Sequence, residues 1–306
     1  MDKDILFWGA EKERGSWMLS AYEYIISMQI QWAKNQGLVL IGSEGKRGRP
    51  AYTTDLEQNL FSPLTKDTRS GFSYGNGNEI VSSSEKPGKM QAVHSSSALA
   101  VNVFQYWEEI DQVSVITSAC GLSQQGDDIS GKIVFEEKYP ITGINRIPPN
   151  IDVVIHTTEK SKYKRFAIES KFSEPYRAGG QKGLKSAYLD LVELWEDIPE
   201  IQKFACEISP DNTINKYLDT AQLIKHILGL NSFCNKPEFK LLYLWYDVLG
   251  KEGADHRVEI DAFSSIAKAD NIHFLSLSYQ ELIIKLANQC RLEHPEYIQY
   301  LTERYL

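Results

Sequence analysis

The spacing of apolar residues predicts two amphipathic helices in the first part of the chain. In residues 16–35, SWMLSAYEYIISMQIQWAKN, apolar side chains recur three and four positions apart, which places them on one helical face. Ser16 is the expected N-cap of this helix, and Gly37 is its expected stop. The same spacing recurs in residues 95–109, SSSALAVNVFQYWEE, after a serine that is suited to capping. We expect a helix in each stretch.

The sequence between these two helices has no such period. Residues 62–88 are rich in Ser, Gly, Asn and Lys, a composition that predicts a long loop or a flap. We therefore divide the chain into an N-terminal segment of residues 1–90, which is helical with a flexible Gly- and Ser-rich loop, and a core of residues 91–306.

Short apolar runs between turn residues predict the strands of the core. Two later runs, residues 239–249 and 272–278, are apolar without a period and alternate with helical stretches, which favours parallel pairing. Three earlier runs follow one another at hairpin-length intervals and predict an antiparallel meander. They are KIVFEEKYPI (132–141), NIDVVIHT (150–157) and RFAIESKF (165–172). The predicted fold class is α/β, with a mixed sheet that is antiparallel at the meander and flanked by helices.

The composition and the cysteines indicate in which cellular compartment the protein is expected. The chain has 306 residues, of which 42% are hydrophobic and 24% charged, values that are ordinary for a globular protein. No apolar run approaches the roughly 20 residues of a membrane span, and the first residues do not resemble a signal peptide. The four cysteines are scattered without metal-ligand spacing, as expected of reduced thiols in the cytoplasm.

The net charge of −8 argues against indiscriminate binding to nucleic acid, but a local basic groove is compatible with it. The glycine loop RAGGQKGLK follows the third strand of the meander, and its Arg177, Lys182 and Lys185 are placed to hold a DNA phosphate. A merely flexible loop is an equal alternative. Arg47 and Arg49 belong to an Arg-Gly-Arg-Pro sequence that matches the core of an AT-hook, which enters the minor groove. For this second stretch an exposed solvated loop is the commoner explanation.

The meander also carries the candidate chemistry. Glu169 and Lys171 are two positions apart in the third strand, so they face the same side of the sheet. Asp152 is the charged residue of the second strand and joins them if the two strands are neighbours. Charges in buried strands are costly unless they are paired or bound to metal. Two carboxylates beside an ammonium group suit Mg²⁺ and an attacking water at a phosphodiester. A salt bridge on an edge strand is the alternative that these three residues leave open.

These segments resemble the PD-(D/E)XK nuclease superfamily, the restriction-endonuclease-like enzymes. The motif reads Pro149-Asn150-Ile151-Asp152 and then Glu169-Ser170-Lys171, so two residues interrupt the family's Pro-Asp pair. The predicted helix–strand–strand–strand order around the motif is the family's core, and the resemblance extends over about residues 95–280. It implies a restriction-endonuclease-like fold and a metal-dependent endonuclease that hydrolyses DNA phosphodiester bonds.

The resemblance also implies a set of site residues. Asp152, Glu169 and the Ser170 carbonyl would bind Mg²⁺, for which Mn²⁺ can substitute, and Lys171 would orient or deprotonate the attacking water. Gln222 matches the helical glutamine that recurs behind the family's catalytic strands, and it shares a helical face with His226, for which a structural role is the commoner one.

Two further carboxylates are candidates for the site. Glu136, in the first strand of the meander, would add a metal ligand or else lie on a solvated face. In the family a helix before the first core strand often supplies an acid. The helix over 95–109 has no acid before Glu108, so Glu79 is the candidate for that role.

A second set of residues has the same pattern earlier in the chain. Asp128 is followed by Glu136-Glu137-Lys138. We prefer the later set because both of its segments are apolar strands flanked by turn residues.

The expected partner is DNA, with residues 1–90 supplying sequence readout, and no membrane partner is expected. The resemblance leaves open a second copy of the chain as a homodimer partner and a cognate modification enzyme. A catalytically inactive DNA-binding or interaction module on the same fold is the rival function, favoured by the acidic net charge. Three charged residues retained in apolar strands argue against it. A metal-dependent hydrolase with another substrate is a third possibility, to which no residue points.

Overall fold

The computed structural model describes residues 19–42, 50–75, 79–83, 86–124, 129, 131–158, 161–234 and 236–306. The helices are α1 (Ala21–Asn35), α2 (Lys66–Tyr74), α3 (Ser96–Glu109), α4 (Val113–Ala119), α5 (Ser186–Leu189), α6 (Pro199–Glu207), α7 (Thr220–Phe233), α8 (Lys251–Ala269), α9 (Tyr279–Cys290) and α10 (Pro295–Tyr305). The strands are β1 (Leu40–Ile41), β2 (Tyr52–Thr53), β3 (Lys132–Lys138), β4 (Asn150–His156), β5 (Arg165–Lys171), β6 (Gln181–Lys182), β7 (Asp211–Asn212), β8 (Phe239–Trp245) and β9 (Phe274–Ser278).

A five-stranded mixed sheet organises the fold, with the strand order β3-β4-β5-β8-β9. The pairs β3–β4 and β4–β5 are antiparallel, whereas β5–β8 and β8–β9 are parallel. Parallel neighbours need a crossover connection, which α5 to α7 supply between β5 and β8 and α8 supplies between β8 and β9. The predicted α/β class and the mixed sheet flanked by helices are confirmed.

Each face of the sheet is covered by its own layer of helices. The strand β8 lies between two parallel neighbours and is almost entirely buried, as its apolar sequence without a period predicts. On one face, side chains such as Phe166 and Leu242 pack with α3, α4, α9 and α10. On the other, Ala167 and Leu241 pack with α6, α7 and α8. Among the described residues no helix has the length and apolar character that crossing a bilayer requires.

The predicted helices over 16–35 and 95–109 correspond to α1 and α3. Ser95 caps α3 as predicted, by accepting a hydrogen bond from the Ala98 amide. The proposed cap of α1, Ser16, lies outside the described residues. Ser20 caps α1 instead, because its side chain and that of Glu23 satisfy each other's backbone amides.

The prediction of a loop throughout residues 62–88 is wrong for α2. Thr65 caps this helix by accepting from the Thr68 amide, and Phe72 is buried beneath it. Gly71 allows the helix to approach β3, because a Cβ there would lie 2.6 Å from the Phe135 carbonyl oxygen. One short apolar stripe and a glycine contact suffice for a helix that packs on a strand, and composition alone does not reveal them.

Arg304 joins the N-terminal segment to the last helix. Its buried guanidinium donates to the Asn59 carbonyl at 2.9 Å and to Gln29 Oε1 at 3.1 Å, and it stacks over Trp32 at 4.0 Å from the ring centroid. These contacts tie α1 and the residues before α2 to α10. The division of the chain at residue 90 stays a prediction.

A buried histidine lies behind the parallel strands. His256, on α8, has Nε2 at 3.0 Å from the Tyr243 hydroxyl and Nδ1 at 3.1 Å from the Tyr176 hydroxyl. Burial lowers its pKa from 6.5 to about 3. Between those pH values the unfolded chain binds the proton more readily than the folded protein does, so stability is lost as the pH falls through this window.

We expect the melting temperature of His256→Gln to depend less on pH than that of the wild type. The wild type should lose stability of the order of 5 kcal/mol through His256 as the pH falls from about 6.5 to about 3, because one pKa unit corresponds to about 1.4 kcal/mol. Glutamine keeps polar partners for the two hydroxyl groups but does not titrate. Calorimetric scans of both proteins between pH 4 and pH 7 measure the difference. Parallel curves would contradict the assignment of acid sensitivity to His256.

Candidate functional site

The register of β4 and β5 brings the two motif carboxylates together. Val153 lies opposite Ile168, and extending this antiparallel register by one residue places Asp152 opposite Glu169. Residues opposite each other in a sheet share a face. Asp152 Oδ2 accepts a hydrogen bond of 2.7 Å from the Ser170 amide, at the point where the ladder between the two strands ends.

Lys171 lies on the same face and is held between two elements. Its Nζ is 2.5 Å from Glu169 Oε1 and donates to Gln222 Oε1 at 3.0 Å. Glu169 is fully buried, and the Lys171 side chain is largely so. The ion pair between Glu169 and Lys171 therefore lies within β5, and Gln222 of α7 holds the Lys171 ammonium group in place.

The helix α7 also contacts the carboxylate directly. His226 follows Gln222 by one helical turn, and its Nε2 is 2.8 Å from Glu169 Oε2. Because an ionised carboxylate only accepts, the Nε2 atom carries the proton in this contact. The other nitrogen, Nδ1, is buried without a hydrogen-bond partner. His226 therefore holds the second oxygen of Glu169, so it is more than an isolated core histidine.

Ser170 separates the two charged residues and faces the other way. Its Oγ is 2.6 Å from the Tyr279 hydroxyl in the opposite layer of the fold. The alternation expected of a strand is thus present, and the main-chain carbonyl is the group of Ser170 that remains as a metal-ligand candidate.

Glu136 reaches the site through an unusual backbone conformation. The pairs Phe135–Val153 and Glu137–Ile151 continue the β3–β4 ladder on either side of it, but Glu136 itself has φ of +57°. A residue other than glycine in this region is strained by about 1–3 kcal/mol. Its Oε2 accepts a hydrogen bond of 3.0 Å from Asn150 Nδ2.

The N-terminal segment lies against this glutamate. A Cβ at Gly75, directly after α2, would be 3.2 Å from Glu136 Oε2. Glu79 is half-buried nearby, pairs with Lys89 at 3.4 Å, and contributes to the raised pKa of Glu136. Glu79 is therefore near enough to act on Glu136, and its role as the family's additional acid stays a prediction.

Charge is unevenly distributed among these carboxylates. Burial and then the charge of Glu169 raise the pKa of Asp152 well above its usual range. Burial also raises the pKa of Glu136, helped by Glu79 and Glu169. Burial would raise the pKa of Glu169 too, but Lys171 and His226 outweigh it and lower that pKa to about 2. Burial opposes the charge of Lys171, but the two carboxylates of the motif raise its pKa.

The donor set suits a hard divalent cation. Asp152, Glu136 and Glu169 lie near one another and are electrostatically coupled, although burial is the main cause of the raised pKa values of Asp152 and Glu136. Carboxylate and carbonyl oxygens are the ligands that Mg²⁺ prefers. In the described part of the chain no three side chains of His, Cys, Asp or Glu are arranged to hold an ion as they stand. Each motif carboxylate is engaged instead with a donor of the protein.

The proposed DNA-contacting residues lie beyond the end of β5. Arg177, Lys182 and Lys185 are exposed, and Lys182 pairs with Asp211 in the short β6–β7 ladder that anchors the glycine loop. Arg47 and Arg49 lie outside the described residues.

The earlier candidate motif is only partly described. Asp128 lies outside the described residues. Glu137, which belongs to the same motif, pairs with His156 Nε2 at 2.7 Å. Lys138 donates to the carbonyl of Tyr74 at 2.7 Å, at the end of α2.

The prediction missed two residues that line the cleft beside the carboxylates. Lys225 and Tyr188 lie there together with Gln222 and His226. Lys225 was detectable, because it is three positions after Gln222 and so lies near it on the helix. Tyr188 comes from a short helix with no marked pattern.

Comparison with known proteins gives the family. A family model described as "Restriction Endonuclease associating with ARP" matches residues 23–306. No curated protein and no solved structure matches the chain. The matched residues span nearly the whole sequence and include the five-stranded sheet and every described residue of the candidate site, so the restriction-endonuclease-like resemblance is confirmed. The chain belongs to the family that this model describes.

Proposed function

We propose that the protein is a Mg²⁺-dependent endonuclease that hydrolyses phosphodiester bonds in DNA. The observation that carries this proposal is the convergence of Asp152, Glu169 and Lys171 on one sheet face. A nuclease family and a cluster of carboxylates around a lysine together favour metal-assisted phosphodiester hydrolysis over other chemistry.

Each residue of the motif then has a role. Asp152, Glu169 and the Ser170 carbonyl would hold the metal, with Glu136 as a further carboxylate. Mg²⁺, when bound, polarises the phosphate and lowers the pKa of a coordinated water. Lys171 would orient or deprotonate the attacking water and would offset negative charge on the phosphate.

Two residues of α7 support this set. Gln222 orients the Lys171 ammonium, and His226 fixes Glu169. Groups that hold a metal-ligating side chain often matter for affinity nearly as much as the ligand does. We propose that Gln222 acts in catalysis through Lys171, and that His226 positions the carboxylate.

Contacts to the DNA backbone would come from the exposed basic residues. We assign phosphate contacts to Arg177, Lys182 and Lys185, and minor-groove contacts to Arg47 and Arg49. The family description names an association with ARP, so we propose ARP as a protein partner. A second copy of the chain, a modification enzyme and a cytoplasmic location stay predictions.

Matched aspartate substitutions test the proposal. Plasmid incubated with the wild type and Mg²⁺ or Mn²⁺ should be cut, and a chelator should prevent cutting. Asp152→Asn should lower the cleavage rate by about 100-fold or more, because it removes a charged metal ligand. Asp128→Asn should cleave within about twofold of the wild type.

Two results would change the assignment. A loss in Asp128→Asn as large as that in Asp152→Asn would move the site to the earlier motif. Binding of DNA without cleavage by any divalent ion would favour the inactive module on the same fold.

A further inference from the structure

A cleft of about 430 Å³ opens beside the carboxylates. Three parts of the chain line it. They are Glu136 of β3, the segment that leads into β4 (Ile147, Pro148, Pro149, Asn150 and Asp152), and the helices α5 and α7 (Tyr188, Gln222, Lys225 and His226). We call this space the proline cleft, after Pro148 and Pro149.

Ile147, Pro148 and Pro149 give the lining an apolar part. Two consecutive prolines restrict the backbone there, and Pro149 lies against α7, where a Cβ at Gly229 would be 3.5 Å from its Cγ. At the rim, 73% of Ile147 is exposed, although it is a large hydrophobic residue beside a charged site. Exposed apolar side chains of this type contact nucleobases in proteins that unstack DNA.

Residues of α5 and α7 add a cation and an aromatic ring to the lining. Lys225 places a cation on the cleft, and Tyr188 lines it with an aromatic ring. The cleft thus combines an apolar surface, an aromatic ring and a cation.

The volume of the cleft is in the range of pockets that bind one small molecule. Pockets of roughly 300–1,000 Å³ enclose one small molecule. The proline cleft therefore suits one nucleotide, whereas a base pair within a duplex is held by its partner and its stacked neighbours.

We propose that the proline cleft receives one unpaired nucleotide of the DNA strand that is cut. The base lies against Ile147 and Pro148, and Lys225 contacts an adjacent phosphate. This inference rests on the proposed endonuclease function and specifies its substrate as DNA with an unpaired or mispaired nucleotide next to the scissile phosphate. Extracting a paired base costs free energy that an unpaired one does not require, which predicts a preference of about 10- to 100-fold.

The test compares two duplexes of the same sequence, one fully matched and one with a single-nucleotide bulge. Affinity is measured in Ca²⁺, and 2-aminopurine at the bulge reports the environment of the unpaired base. The wild type should bind the bulged duplex about 10- to 100-fold more tightly and should change the 2-aminopurine fluorescence.

Two serine substitutions separate the cleft from exposed apolar surface in general. Ile147→Ser should lower the preference for the bulged duplex about tenfold or more. Leu292→Ser removes a leucine between α9 and α10 that is even more exposed, at 96%, and should leave the preference unchanged. Melting temperatures of both variants verify that they fold.

The outcomes distinguish this inference from the proposed function. A preference for the bulge that Ile147→Ser weakens, without cleavage by any ion, would support the nucleotide subsite and overturn the endonuclease. Cleavage without such a preference, or equal effects of the two serine variants, would overturn the subsite and leave the endonuclease. Absence of DNA binding in Ca²⁺ would also overturn the subsite.

Discussion

Replacing Lys171 by alanine is expected to lower the rate of DNA cleavage by about 1,000-fold or more, with the affinity for Mg²⁺ or Mn²⁺ unchanged or increased. Lys171 Nζ lies 2.5 Å from Glu169 Oε1, and its charge also acts on Asp152. Without this ammonium group a divalent cation meets less competition among the carboxylates. The cleavage step, in contrast, loses the cation that stabilises negative charge on the phosphate.

The two effects are measured separately. Single-turnover cleavage gives the rate of the chemical step, and calorimetric titration gives the metal affinity. Lys164→Ala is the matched control, because Lys164 pairs with Glu238 at 2.8 Å beside the opposite end of β5. It should behave like the wild type. Cleavage by Lys171→Ala within about tenfold of the wild type would contradict a catalytic role for Lys171.

Local rules are sufficient to predict the centre of the candidate site. Side chains alternate along a strand, so Glu169 and Lys171 share a face wherever the strand lies. The hairpin-length gap to the preceding strand then makes Asp152 a cross-strand neighbour, as the register confirms. Helical spacing places Gln222 and His226 on one face, and the family resemblance pointed to Gln222 as a site residue. Their contacts with Lys171 and Glu169 required in addition that α7 pack on this face of the sheet.

The approach of the N-terminal segment to the site could not be predicted in this way. It depends on the left-handed backbone of Glu136 and on the close contact of Gly71 with β3. Nothing in the local sequence requires a glutamate at positive φ. Such a conformation persists only where surrounding contacts hold it, here the hydrogen bond from Asn150 and the neighbouring end of α2 at Gly75.

The burial of Arg304 could not be predicted from the local sequence either. Arg304 is 245 positions from Asn59 and 275 from Gln29, both of which it contacts inside the protein. A sequence pattern shows an arginine near the end of an amphipathic helix and suggests a solvated side chain. Burial follows only from the meeting of α1, α10 and the residues before α2, which is a property of the whole fold.

Replacing Glu169 by glutamine is expected to have the opposite effect to Lys171→Ala on metal binding, with a loss of affinity of about 100-fold or more. Glutamine has nearly the same shape, so the buried position stays filled, but it removes one of the charged ligands. It also leaves the Lys171 ammonium group paired mainly with Asp152, where it competes with the cation. Cleavage should be lost at low metal concentration and partly restored by high Mn²⁺.

Glu137→Gln is the matched control for this change. Glu137 lies next to Glu136 on β3, is mostly buried, and pairs with His156 rather than with the motif. Titration with Mg²⁺ or Mn²⁺ should give this control the affinity of the wild type. If Glu169→Gln keeps its affinity within about threefold of that value, Glu169 does not bind the metal. Its contacts with Lys171 and His226 would then be structural, and Asp152 with Glu136 would be the carboxylates left to hold the ion.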